Sequence, residues 1–138
     1  STPLYSSAAS DVYKRQGESR EDVVDMLMDV KEINPESVPI NFLLPIKGTR
    51  LADRDISGLT PQYCLKVLCL ARLLVPKSDI RCAAGREVYF KGIEPTLFKV
   101  VDSIFASGYL TADGQGIDDT IKMIENAGFT GEIESKDC

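Results

Sequence analysis

Two polar residues interrupt apolar segments of this sequence, and their side chains are the first candidates for chemistry. Arg81 follows Ile80 in a short apolar segment, and Asn41 lies within the apolar run Val38–Leu44. A guanidinium has five N–H donors and stays protonated in proteins, so on general grounds it is a poor metal ligand. A buried amide or guanidinium needs hydrogen-bond partners. From the residues alone, two roles are open for each side chain. Arg81 either pairs with a carboxylate or contacts a ligand. Asn41 either forms a hydrogen bond to a neighbouring strand or loop or contacts a ligand.

The lack of histidine and the spacing of the cysteines restrict the metal chemistry of the sequence. The chain has no His, which removes His-based triads and His-ligated zinc. Its cysteines show neither CxxC spacing nor a metal-finger pattern, and they are Cys64, Cys69, Cys82 and Cys138. Strand alternation turns Cys82 away from the face of Arg81, and Cys64 and Cys69 belong to an apolar helical stripe. We therefore predict packed thiols and no metal cluster held by these cysteines alone.

The composition is that of an ordinary globular protein. A chain of 138 residues is long enough for one domain with a core. The net charge of −5 gives no support to binding of nucleic acid or anionic membranes. No apolar run approaches the roughly 20 residues of a membrane span, and no secretory h-region is present. We predict a cytoplasmic protein with neither a nucleic-acid nor a membrane partner.

Residues 1–16 differ in character from the rest of the chain. They are rich in Ser and Ala and lack periodicity, so we expect them to be unstructured and not native to the fold. A targeting peptide is the weaker alternative, because Asp11 and the lack of an Arg-rich amphipathic pattern argue against it. We place the domain at residues 17–138.

From Ser19 onward, helical patterns alternate with short apolar segments. Ser19 with Asp22 predicts a capping box, and Thr60–Pro61 predicts a second helix start. Further helical patterns cover Glu94–Val101 and the residues before Gly128, the expected C′ position. Strands are predicted at three apolar segments, which are Val38–Leu44, Asp79–Ala83 and Ser103–Ala106.

The order α-β-α-β-α-β-α predicts an α/β fold with a parallel sheet and right-handed crossovers. Apolar strands and long loops fit part of a larger closed barrel, and a (β/α)₈ barrel needs about 250 residues. We therefore expect the C-terminal part of a TIM-type barrel, with about three parallel strands alternating with four helices and the N-terminal half missing. Residues at the strand ends and in the following loops would then carry the chemistry.

Several groups of residues, in order and spacing, resemble biotin synthase, a radical S-adenosylmethionine family. The similarity runs from about Gly17 to Phe129. The residues that carry it are Val38–Leu43 with Lys47–Thr49, Ile80–Arg81 with Ala84–Glu87, and Ser103–Phe105 with Gly108–Thr111 and Gly114–Gln115.

The resemblance implies an enzyme that converts dethiobiotin to biotin. In this family a 4Fe–4S cluster reductively cleaves S-adenosylmethionine to a 5′-deoxyadenosyl radical, which abstracts hydrogen from dethiobiotin. A sulfide of a 2Fe–2S cluster is then inserted to make the thiophane ring. The CxxxCxxC motif and the other cluster cysteines lie upstream in the family and are absent from this sequence. We expect a fragment that is inactive alone, from a parent that forms homodimers.

The resemblance also implies roles for individual residues, although none in this fragment is expected to be catalytic. Arg81 matches the arginine that ligates the 2Fe–2S cluster. Asn41 matches a contact to the ureido ring of dethiobiotin, and Thr111 matches a contact at the carboxylate end of the substrate. Ala112 replaces a second Thr of the family, and a plain turn hydroxyl is the alternative for Thr111.

Two other functions remain compatible with the sequence. One is another radical S-adenosylmethionine enzyme of the hydrogenase-maturase or methylornithine-synthase type, which would lack the Arg-ligated 2Fe–2S centre. The other is a non-catalytic interaction module derived from such a barrel. Arg86 and Glu87 match a signature of the biotin synthase family but could equally form a local ion pair that supports their loop.

Overall fold

The computed structural model describes residues 18–105 and 116–133, and in this part of the chain helices alternate with three strands. The two longest helices have 14 residues each, and no helix of the described residues has the length and apolarity to cross a bilayer. The elements in chain order are α1 (Arg20–Ile33), β1 (Ser37–Ile40), α2 (Pro61–Leu74), β2 (Asp79–Cys82), α3 (Arg86–Tyr89), α4 (Glu94–Leu97), β3 (Ser103–Ile104) and α5 (Ile117–Asn126).

The two long helices begin where the sequence predicts, because side chains satisfy their first backbone amides. The Ser19 hydroxyl accepts from the Asp22 amide at 3.1 Å, and the Asp22 carboxylate accepts from the Ser19 amide at 2.8 Å. This reciprocal pair is the predicted capping box. Helix α2 has the Thr60 hydroxyl as its cap, which accepts from the Tyr63 amide at 3.2 Å. Helix α1 ends at Asn34, whose φ of 49° is left-handed.

The three strands form a parallel sheet in the order β1-β2-β3, which confirms the predicted fold class. In its register, Pro39 of β1 lies opposite Arg81 of β2, and Arg81 lies opposite Ser103 of β3. Strand β1 ends at residue 40 rather than 44, yet the Phe42 amide still donates to the Ala84 carbonyl at 2.9 Å. Backbone pairing therefore continues past the regular strand.

One face of the sheet forms the core of the described residues. Val38, Ile80 and Cys82 alternate onto this face and pack in one cluster with Leu68 and other residues of α2. The opposite face is half-buried. Its side chains are mostly polar or charged, and they come from Ser37, Pro39, Asp79, Arg81 and Ser103.

The segment between the predicted strand Asp79–Ala83 and the predicted helix Glu94–Val101 contains a helix that the sequence did not predict. It contains the one-turn helix α3, and the next helix, α4, ends four residues before the predicted residue 101. Tertiary contacts hold α3, since the Tyr89 hydroxyl donates to the Leu43 carbonyl at 2.6 Å and Phe90 is fully buried. One turn of helix is too short to show a 3.6-residue period in a sequence.

Among the glycines of the described residues, Gly85, between β2 and α3, has the closest neighbours. Its φ is +91°, and a Cβ there would lie 2.8 Å from the Phe42 carbonyl oxygen and 2.9 Å from the Phe42 Cβ. Both the left-handed backbone and the close approach of the β1 extension therefore require glycine.

We predict that Gly85→Ala lowers the free energy of unfolding by about 3 kcal/mol, from backbone strain plus the overlap with Phe42. Gly92→Ala is the matched control, because φ is +85° but nothing lies within 4 Å of the added Cβ. That variant should lose only the strain, about 1 kcal/mol. Urea unfolding followed by circular dichroism measures both, and equal losses would contradict the close approach at residue 85.

Candidate functional site

Arg81 lies on the half-buried face of β2 within a closed ring of side-chain hydrogen bonds. Its Nη2 donates to Asp79 Oδ2 at 2.9 Å, and its Nε donates to Ser103 Oγ at 2.8 Å. The Ser103 hydroxyl donates to Asp79 Oδ1 at 2.9 Å and closes the ring. We call Asp79 and Ser103 the Arg81 clamp. Arg81 is therefore paired with a carboxylate, which is one of the two roles that the sequence left open for it.

The parallel register assembles this clamp from two strands. Asp79 and Arg81 are two residues apart in β2, so their side chains emerge on the same face. Ser103 lies opposite Arg81 in β3, and the Ser37 hydroxyl of β1 reaches Asp79 Oδ2 at 3.3 Å from the other side. The side chains of Arg81 and Asp79 are 28% and 32% exposed. The Arg81 side chain is thus held by protein groups and still partly exposed.

Asn41 follows the last residue of β1 and bonds the loop after β2. Its Oδ1 accepts from the Ala84 amide at 3.0 Å. This bond is the structural role that the sequence left open for Asn41. It extends the pairing of β1 with β2 by one side-chain hydrogen bond beyond the regular strand.

A cavity of about 440 Å³ lies beside β1 and is lined by Asn41 but not by Arg81. Apolar side chains of α1, such as Val23 and Met26, form part of its wall. Arg20 lies over the Tyr63 ring, with 5.7 Å from its guanidinium carbon to the ring centroid, and both line the cavity. The cavity therefore lies along β1 and its extension, and neither Arg81 nor the Arg81 clamp lines it.

The structure places two of the three predicted site residues on adjacent segments of the sheet. Pro39 of β1 lies opposite Arg81 of β2, and Asn41 comes two residues after Pro39, directly beyond the end of β1. Thr111 and Ala112 lie outside the described residues. Asp79 and Ser103 were missed from the sequence, and the signal that could have found them is the i, i+2 spacing of Asp79 and Arg81 together with the strand register.

Two cysteines of the described residues, Cys64 and Cys82, are packed thiols as predicted, whereas Cys69 is only half-buried. Both packed thiols are fully buried, and burial raises the pKa of each thiol to about 12. Cys82 lies opposite Ile40 and Ile104, on the sheet face away from Arg81. Within residues 18–105 and 116–133, no group of three or more His, Cys, Asp or Glu side chains is arranged to hold a metal ion. These residues therefore do not supply the ligand set of an iron–sulfur cluster.

Arg86 and Glu87 form the local ion pair that the sequence allowed. Arg86 Nη2 donates to Glu87 Oε1 at 2.8 Å, and Nη1 lies 3.8 Å from the Met123 sulfur of α5. The Arg86 side chain is only 2% exposed, whereas Glu87 is 42% exposed. This arginine joins α3 to α5 in the interior, and its burial was not foreseen from the sequence.

Comparison with known proteins places these residues in a family. The model of the Biotin and Thiamin Synthesis associated domain matches residues 39–130, a range that includes Asn41, Arg81 and Thr111. The chain belongs to this family. Asp79 and Ser103 lie in the matched range as well.

Similar curated proteins carry the name biotin synthase. The protein of Renibacterium salmoninarum is 42% identical over 123 residues, which are 89% of this chain and 36% of that protein. The protein of Streptomyces avermitilis is 41% identical over 131 residues, 95% of this chain and 33% of that protein. The protein of Staphylococcus epidermidis is 42% identical over 129 residues, 94% and 40% respectively. The chain thus spans between a third and two fifths of the length of these relatives.

We predict that Asn41→Ala lowers the free energy of unfolding by about 1–2 kcal/mol, because the Ala84 amide loses its acceptor. Asn41→Asp is the matched variant, since it keeps an oxygen in place of Oδ1 and should stay close to the parent protein in stability. Urea unfolding compares the three proteins. Equal losses in the two variants would show that the oxygen at this position does not matter.

A second prediction concerns pH and the Cys82 thiol. Between its ordinary pKa of 9.0 and the folded pKa of about 12, the unfolded chain loses the thiol proton while the folded chain keeps it. Unfolding then releases a proton, so stability falls as pH rises, by up to about 1.4 kcal/mol per pH unit for this thiol. Cys82→Ala should remove that contribution.

Urea unfolding from pH ~8 to ~10.5 measures the slope of stability against pH. Val75→Ala is the control, because it also shortens a buried core side chain but removes no titrating group. Its curve should run parallel to that of the parent protein. If the Cys82→Ala curve is parallel as well, the thiol does not contribute.

Proposed function

We propose that this chain forms part of a biotin synthase, which converts dethiobiotin to biotin by radical sulfur insertion with S-adenosylmethionine, a 4Fe–4S cluster and a 2Fe–2S cluster. The observation that carries the proposal is the family match over residues 39–130, together with about 40% identity to proteins named biotin synthase. The parallel sheet with one half-buried face, which carries Arg81, supports it. The proposed enzyme is a cytoplasmic homodimer.

The described residues could supply only a few of the ligands that these cofactors need. Two of the cysteines are protonated in the core, and no metal-holding group is present in the described part of the chain. The cluster thiolates of the proposed enzyme would therefore come from the portion of biotin synthases that this chain does not span. The contribution proposed for this chain is the guanidinium of Arg81, as ligand to the 2Fe–2S cluster or in close contact with it.

Asn41 and Thr111 are the proposed contacts to dethiobiotin. An amide suits a ureido ring, because it offers both donors and an acceptor to a group with the same combination. Asn41 Oδ1 accepts from the Ala84 amide, so the Nδ2 group is the part that we expect to face the ureido oxygen. Thr111 would bind the carboxylate end of the substrate.

A chimera tests the proposal. Residues 18–133 replace the matched segment of the Renibacterium salmoninarum biotin synthase, and the purified protein is supplied with iron, sulfide, S-adenosylmethionine and dethiobiotin. We expect biotin to form, and Arg81→Ala to lower turnover by about 10- to 100-fold, as loss of a group that tunes a metal site does. The chain by itself, given the same additions, should form no biotin.

The matched control is Arg50→Ala, which removes an exposed guanidinium from the loop before α2. It should leave turnover unchanged. A folded chimera that takes up iron and sulfide but forms no biotin would refute the proposed function. Equal turnover of the Arg81→Ala and parent chimeras would show that Arg81 has no role in the proposed reaction.

A further inference from the structure

We propose that Asp79 and Ser103 are positioning residues for Arg81, which they hold in one orientation on the half-buried face of the sheet for contact with a ligand there. The inference deepens the proposed function, since in that function the ligand is the 2Fe–2S cluster. It is drawn from the contacts of the chain itself.

The clamp contacts fix both the plane and the reach of the guanidinium. Nε donates to Ser103 at 2.8 Å and Nη2 donates to Asp79 at 2.9 Å, so adjacent N–H groups on one edge are each held by a different side chain. Two bonds along one edge leave no free rotation about the last torsions of the side chain. The direct bond from Ser103 to Asp79 at 2.9 Å also couples the two partners to each other.

Another arginine of the chain has a structural role and can be compared with Arg81. Arg72 of α2 donates from Nε to the Val100 carbonyl at 3.1 Å and from Nη1 to the Ser78 carbonyl at 2.9 Å, and it pairs with Asp102. Those backbone acceptors tie α2 to the ends of the neighbouring segments. The clamp partners of Arg81 are side chains instead, on the half-buried face of the sheet. The contrast favours a clamp that orients Arg81 as well as joining β2 to β3.

The charge of Asp79 strengthens two bonds of the ring. A carboxylate that accepts from a guanidinium makes a stronger hydrogen bond than a neutral hydroxyl does. Asp79 Oδ1 also accepts from Ser103, so loss of the carboxylate charge weakens two bonds at once. Asp79→Asn should therefore loosen Nη2 directly and Nε indirectly, through Ser103, whereas Ser103→Ala removes the acceptor of Nε itself.

Nuclear magnetic resonance of the ¹⁵N-labelled 138-residue chain tests the clamp without any cofactor. The Nε–H signal of Arg81 is assigned by its loss in Arg81→Lys, and its hydrogen exchange is then compared among variants. We expect Nε–H exchange to be about tenfold faster in Ser103→Ala, because that variant removes the acceptor of this proton. It should be faster by a smaller factor in Asp79→Asn, which keeps Ser103 but weakens the bonds that Asp79 accepts. The double variant should change by less than the product of the two factors, since the residues share one network.

Glu87→Gln is the matched control, because it neutralises a carboxylate beside a different arginine. It should change the Arg86 signal and leave that of Arg81 as it was. Unchanged Arg81 exchange in both clamp variants, with circular dichroism like the parent, would overturn the proposal. If Asp79→Asn fails to fold, the exchange measured in Ser103→Ala alone tests the proposal. If both variants fail to fold, Asp79 and Ser103 have a structural role and the proposal is wrong. An inactive chimera would contradict the proposed function but not the positioning role of Asp79 and Ser103.

Discussion

The parallel register of the three strands is the constraint on which the core and the candidate site both depend. Side chains alternate along a strand, so the register that buries Val38, Ile80 and Cys82 also places Arg81 on the opposite face. A slip of one residue would exchange the two faces. It would bury the guanidinium among apolar side chains, which is far more costly than leaving it half-buried beside a carboxylate. The position of Arg81 is therefore as well determined as the core itself.

Several contacts that support this register lie at the carboxyl ends of β1 and β2. The Phe42 amide and the Asn41 side chain both bond Ala84, and the Tyr89 hydroxyl bonds the Leu43 carbonyl. Gly85 allows these segments to approach, because no Cβ stands between them. Asn41 is thus placed near the Arg81 position by the same bonds that hold the strands in line. Its structural bond and its proposed substrate contact use different atoms of one amide.

Features of the fold that depend on neighbouring residues in the chain were predictable, and those that depend on distant pairs were not. The capping box at Ser19 and the cap at Thr60 are local, and both were found from the sequence. Helix α3 was missed because its four residues cover little more than one hydrophobic period, so no repeat is visible, and long-range packing stabilises it. The partnership of Asp79 with Ser103 was missed because it depends on pairing strands that are 24 residues apart in the chain. The roles of Arg81 and Asn41 toward ligands came from family resemblance and stay predictions, and that of Thr111 lies outside the described residues.

For Arg81, carboxylate pairing and ligand contact were alternatives at the level of sequence, but in the structure they are compatible. The clamp holds the edge that carries Nε and Nη2, while 28% of the side chain is exposed. A long side chain that is already ordered loses less conformational entropy when it meets a ligand, so preorganisation favours contact. Half burial also suits this purpose: full exposure would screen the ion pair, and full burial would add a large desolvation cost. A carboxylate on the same strand face is thus a reason for Arg81 to meet a ligand there, rather than a reason against it.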